Sequence, residues 1–153
     1  MSPQKKRRRT RVLFLCLGNS CRSQMAEALA RQFSADIIEP SSAGLIPLGF
    51  IAQGTVDALR ERGVDSNGQS SKPLRDAQLD ATDLLVNLSG RRVENLFAGR
   101  KLSVEDWDVG DPYGEDRAVY RRICDEVERR VLELAQSLRA AQRKGRRSRI
   151  ASD

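Results

Sequence analysis

The chain is 153 residues long, 39% apolar and 31% charged, enough for one buried core, and no stretch approaches the ~20 apolar residues that a membrane span requires. Its net charge of +6 is unevenly placed: six basic residues fall in 5–11 and six in 139–153, so residues 12–138 carry 15 basic against 20 acidic residues, a net of −5. With no histidine and three cysteines, a closed zinc site would have to borrow carboxylates, so no metal or other cofactor is expected; the odd cysteine count suits a reducing cytoplasm.

In chain order, Val12 to Cys16 is a short apolar run that predicts a buried strand. A basic start followed by VLFLCLG imitates a signal peptide, but Asn19 and Arg22 interrupt the run too early. Met25, Leu29 and Phe33 recur every four residues and predict a helix with those three on its inner face. Ile37 and Ile38 open a second strand that runs into Ser41–Gly44. Residues 52–62 predict a helix with Val56 and Leu59 inward, stopped at Gly63. Leu84–Leu88 reads as a third strand, and Leu102–Val104, with Trp107 close by, as a weaker fourth. Val119, Ile123, Val127, Val131, Leu134 and Leu138 then form a long helical stripe, with Cys124 one step off it as a packing thiol.

This alternation predicts a three-layer α/β/α sandwich around a four-stranded, mainly parallel sheet. We expect one domain over 12–138, a basic arm over 1–11 and a basic tail over 139–153, in a chain working as a monomer. Runs of like charge repel themselves and read as solvated tails. The same charge would equally attach the domain to nucleic acid or anionic lipid.

The chemistry concentrates in VLFLCLGNSCRSQMAEAL, residues 12–29. A free thiol of pKa ~8.5 is mostly protonated at neutral pH and is a poor nucleophile unless something stabilises its thiolate. A loop between a strand end and a helix N-terminus does so, because its unpaired N–H groups and the positive end of the helix dipole converge there. Cys16 stands at that focus. Gly18 allows the tight turn and Asn19 tolerates a left-handed one. The amides of Leu17, Gly18, Asn19, Ser20 and Cys21 then form a nest for an oxyanion. Arg22, six residues after the cysteine, can return as a planar fork to two oxygens of a tetrahedral anion, and Ser23 can cap the helix or hydrogen-bond the sulfur. Taken without its context, a Cys-x5-Arg pair is also compatible with an inert buried thiol.

That segment, with SSAG at 41–44 and DPYG at 111–114, resembles the low-molecular-weight protein tyrosine phosphatase superfamily, which includes the thioredoxin-coupled arsenate reductases. The resemblance spans residues 11–138. It implies that Cys16 attacks phosphorus, that the loop amides and Arg22 hold the equatorial oxygens, and that Asp111, beside Pro112, protonates the leaving group. A carboxyl beside a phosphate dianion keeps its proton more readily, and Pro112 stiffens the loop presenting it.

Within that superfamily the sequence carries features of both chemistries. Phosphatases of this kind wall the substrate ring with aromatic side chains, whereas here LIPLGFIAQG offers Leu48 and its apolar neighbours, and Tyr113 is the aromatic beside Asp111. GVDSNGQSS at 63–71 and CRSQMAEA look closer to the arsenate reductases. Those enzymes pass electrons through two further cysteines, the first in a TLCG-like segment; the segment here is NLSG, with Ser89 in that place. Gln69 stands near the position of a histidine that in many phosphatases braces the loop through its asparagine. The expected partner is a phosphorylated protein or small phosphate monoester, with arsenate and an external thiol as the alternative. An oxyanion-binding module docked on nucleic acid by its basic ends is a further one. Cys21, separated from Cys16 by four residues of the same tight loop, is also expected to have a redox role, joining Cys16 in a protective disulfide.

Overall fold

A computed structural model describes residues 8–151; the expected arm residues Lys5–Arg7 and the terminal Asp153 lie outside the described residues. The chain forms β1 (Thr10–Cys16), α1 (Arg22–Phe33), β2 (Ile38–Gly44), α2 (Gln53–Glu61), the short α3 (Asp76–Asp80), β3 (Leu84–Asn87), a 3-10 turn at Glu94–Leu96, β4 (Ser103–Asp106) and α4 (Arg117–Ala151). The strands make one sheet in the order β2-β1-β3-β4, with every neighbouring pair parallel.

β1 is the central strand, which explains its unbroken apolar run. Val12, Phe14 and Cys16 face a core built with α1, α2 and α4, while Leu13 and Leu15 face a second cluster holding Ala43, Leu79, Leu85 and Val93. A parallel sheet covered on both faces needs apolar side chains on both, so alternation disappears. Trp107, just after β4, packs against Phe14 with ring centroids 5.8 Å apart.

Most expected elements form close to their expected bounds, with four differences. Phe33, placed on the inner face of α1 with Met25 and Leu29, is 42% exposed, because it is the last residue of a helix whose packed turns end before it. α3 has no counterpart in the sequence reading, since five residues with Leu79 as their only buried side chain carry no period. The expected break at 138 is not a structural boundary: α4 continues to Ala151, and Arg139 grips Asp36 through two bonds of 2.8 Å. Likewise β1 begins at Thr10, inside the expected arm, where Arg11 is tied to Asp83 by its backbone and its guanidinium.

Candidate active site

The chain passes from β1 to β2 on one side of the sheet and then to β3 on the other, so the crevice where the connections diverge opens at the carboxyl end of β1. Cys16 is the last residue of that strand, and residues 17–21 turn directly into α1.

The loop is held from outside by its carbonyls. Those of Cys16, Leu17 and Gly18 accept from the amides of Leu45, Ile46 and Leu48 at 3.1, 2.8 and 2.9 Å. The carbonyl of Asn19 accepts from Gln24 Nε2, that of Ser20 from Thr55 Oγ1, and that of Cys21 from the amide of Met25. In a trans peptide the N–H points opposite to the C=O, so a loop whose carbonyls all face outward turns its amides inward. The Asn19 amide does so visibly, 3.2 Å from Cys16 Sγ. α1 begins with no side-chain cap, leaving its first-turn amides open as well.

Asn19 is the keystone of this shape. It is the only non-glycine among the described residues with a positive φ, +48°, a conformation asparagine tolerates. Its buried side chain donates to Ser23 Oγ (2.8 Å) and Ser42 Oγ (3.0 Å) and accepts from the Lys72 amide (2.9 Å). Because Ser23 Oγ accepts from Asn19, its own proton is free for Cys16 Sγ, 2.7 Å away. Ser42 in turn donates to Glu27. The glycine of SSAG is explained by close approach: a Cβ on Gly44 would lie 2.9 Å from the Asn19 amide nitrogen and the Leu17 carbonyl.

Arg22 is buried, with Nη1 donating to the carbonyls of Leu88 (2.7 Å) and Val109 (2.9 Å), which fixes the guanidinium plane. Nη2 lies 3.7 Å from Asp111 Oδ2. Asp111 is half exposed, and its other oxygen accepts from the Tyr113 amide, so the carboxyl is oriented across the mouth. A cavity of about 170 Å³ brings together Cys16, Arg22 and Asp111 with Leu48 and Tyr113 on its walls. Of the other expected residues, Leu17, Gly18, Ser20 and Cys21 line it, while Asn19 and Ser23 stand behind the loop.

Further residues support the site, and of these Gln24 and Arg31 escaped the sequence reading. Ile46 joins the cavity wall. Gln24 bonds the Asn19 carbonyl, Gln69 Nε2 donates to Gln24 Oε1 (2.7 Å), and Arg31 holds Gln69 (2.6 Å), so Gln69 braces the loop by relay. Tyr120 of α4 lies 3.6 Å from Cys21 Sγ, over a Gly54 that has no room for a Cβ. Burial pushes both the Cys21 thiol and the Tyr120 phenol up from their ordinary values. Buried polar side chains such as Gln24 and Ser42 are the signal, and burial is invisible in a linear sequence.

The sequence profile of the low molecular weight phosphotyrosine protein phosphatase family matches residues 11–144. The chain belongs to that family. Its relatives divide between two chemistries. A glutaredoxin arsenate reductase from Synechocystis is 35% identical over 79% of this chain and 92% of its own length. A protein-arginine-phosphatase from Geobacillus stearothermophilus is 33% identical over 86% of this chain and 98% of its own. A solved arsenate reductase in its phosphate binding state is 31% identical, with a TM-score of 0.76 over 84% of this chain and 98% of that one.

Proposed function

We propose that the protein is a cysteine-dependent phosphatase acting on phosphate monoesters of the phosphotyrosine type. The observation that carries this reading is the carboxyl of Asp111 held 3.7 Å from the fixed guanidinium of Arg22, across the cavity that Cys16 floors. Cys16 Sγ attacks phosphorus in line, forming the S–P bond as the ester P–O bond breaks. The inward amides of residues 17–22 and the free edge of Arg22 take the three equatorial oxygens. Asp111 gives its proton to the departing oxygen, then accepts one from the water that attacks the thiophosphoryl intermediate, releasing phosphate and the thiolate. The apolar walls, Leu48, Ile46 and Tyr113, suit an aryl leaving group.

Arsenate reduction by an external thiol is the second reading, favoured by the names of several relatives. An internal relay of the usual kind lacks its cysteine at Ser89. Cys124 is buried in the α4 core, its thiol pushed up to about 12 by burial. Purified protein assayed on 4-nitrophenyl phosphate and on arsenate, with and without glutathione and glutaredoxin, separates the two. Thiol-independent phosphate release that disappears in Cys16→Ser, with vanadate binding retained, is the expected result. Thiol-dependent arsenite production exceeding phosphate release would replace the phosphatase reading.

A further inference from the structure

Arg8, where the described chain begins, meets the C-terminal part of α4. Gln142 of α4 donates to the carbonyl of Arg8, 134 residues away in sequence, at 2.7 Å. The cations nearest the body are already paired: Arg8 and Arg11 with Asp83, Arg9 with Glu39, and Arg139 with Asp36. Arg143, Lys144, Arg146 and Arg147 are exposed, and no ion pair holds any of them among the described residues. Residues 139–151 contain six cations and no carboxylate. Arg139, Arg143 and Arg147 stand at successive i,i+4 positions, where like charges repel, so an anionic partner would stabilise this part of the helix. Arg146, Arg147 and Arg149, with Lys5–Arg9, also lie outside the 11–144 match and are additions to the part shared with the family.

We propose that the C-terminal third of α4 docks the enzyme on duplex nucleic acid through the phosphate backbone. At about 100° per residue, Arg139, Arg143, Arg146 and Arg147 form one stripe, with Lys144 and Arg149 on opposite flanks, so the cations span about 220° of the helix. A helix in a groove has phosphates on both sides and can use that spread, and the major groove of a duplex admits a helix. A flat lipid surface meets one side only. Residues 139–151 also hold one large apolar side chain, Ile150, and no aromatic, so no insertion face exists. The −5 charge of residues 12–138 disfavours contact through the rest of the molecule.

Fluorescence anisotropy of the full chain with a labelled duplex of arbitrary sequence tests this. About five phosphate contacts give a log–log salt slope near −4.5, so affinity should fall about 500-fold between about 50 and 200 mM salt. Substituting R143Q, K144Q, R146Q and R147Q together should flatten that slope by about 3.6. Hydrolysis of 4-nitrophenyl phosphate should be unchanged, which also shows that the variant is folded. No binding at low salt, or binding unaltered in the fourfold variant, would overturn the proposal. Tighter binding to phosphatidylserine vesicles than to the duplex would overturn it in favour of lipid.

Discussion

Asn19→Ala should be the most damaging single change that leaves the nucleophile in place. The side chain makes three hydrogen bonds, to Ser23, Ser42 and the Lys72 amide. At about 1 kcal/mol each their loss costs about 3 kcal/mol. Alanine at a φ of +48° adds about 1 kcal/mol, since the left-handed region that asparagine tolerates crowds a Cβ without a compensating local bond. A total of about 4 kcal/mol lowers Tm by roughly 8–16 °C for a domain of this size. Turnover should fall with it, because Ser23 Oγ, no longer fixed by Asn19, loses its aim at Cys16 Sγ. Thermal unfolding by circular dichroism, and kcat at a temperature where both proteins are folded, measure the two effects. A Tm within about 3 °C of wild type together with unchanged kcat would refute the keystone role.

Asp111→Asn should keep the Tyr113 bond and the fold but slow hydrolysis of alkyl phosphates by about 10²–10⁴-fold, with a smaller loss on nitrophenyl phosphate; equal losses on both would remove Asp111 as the acid. Iodoacetamide at neutral pH should modify Cys16 in the folded protein and reach Cys124 only after denaturation, as mass spectrometry of the labelled peptides would read; early labelling of Cys124 would contradict its burial. Arg11 holds the Asp83 carboxyl below the usual carboxylate range, so its stabilisation is present above the unfolded value of ~3.9 and lost as pH falls through the lower folded value. Asp83→Asn should therefore be less stable than wild type at pH 7, with the gap closing in acid denaturant titrations; a gap independent of pH would show that the pair contributes through packing alone. Peroxide-inactivated enzyme should recover in dithiothreitol, and Cys21→Ser should recover less if a Cys16–Cys21 disulfide shields the nucleophile; equal recovery would argue against that bond.

The sequence by itself determined the strand-loop-helix unit around Cys16 and the layered α/β class, because both rest on local signals. An apolar run of five, a glycine and an asparagine in a tight loop, and an arginine at a fixed interval are properties of neighbours along the chain. It also located the stripe of α4, whose period repeats over five turns. Tertiary structure decided what those residues face. Arg22 is aimed by carbonyls of Leu88 and Val109, each more than 60 residues away, and Asp111 reaches it only because the segment after β4 returns to the end of β1. The relay from Arg31 through Gln69 and Gln24 joins side chains that no spacing rule connects. The extent of α4 was likewise hidden: a run of arginines reads as a solvated tail until Arg139 finds Asp36 and Gln142 finds the Arg8 carbonyl. Such bonds form between groups that folding brings together, and their partners are set by the packing of the sheet and its helices rather than by the residues beside them in sequence.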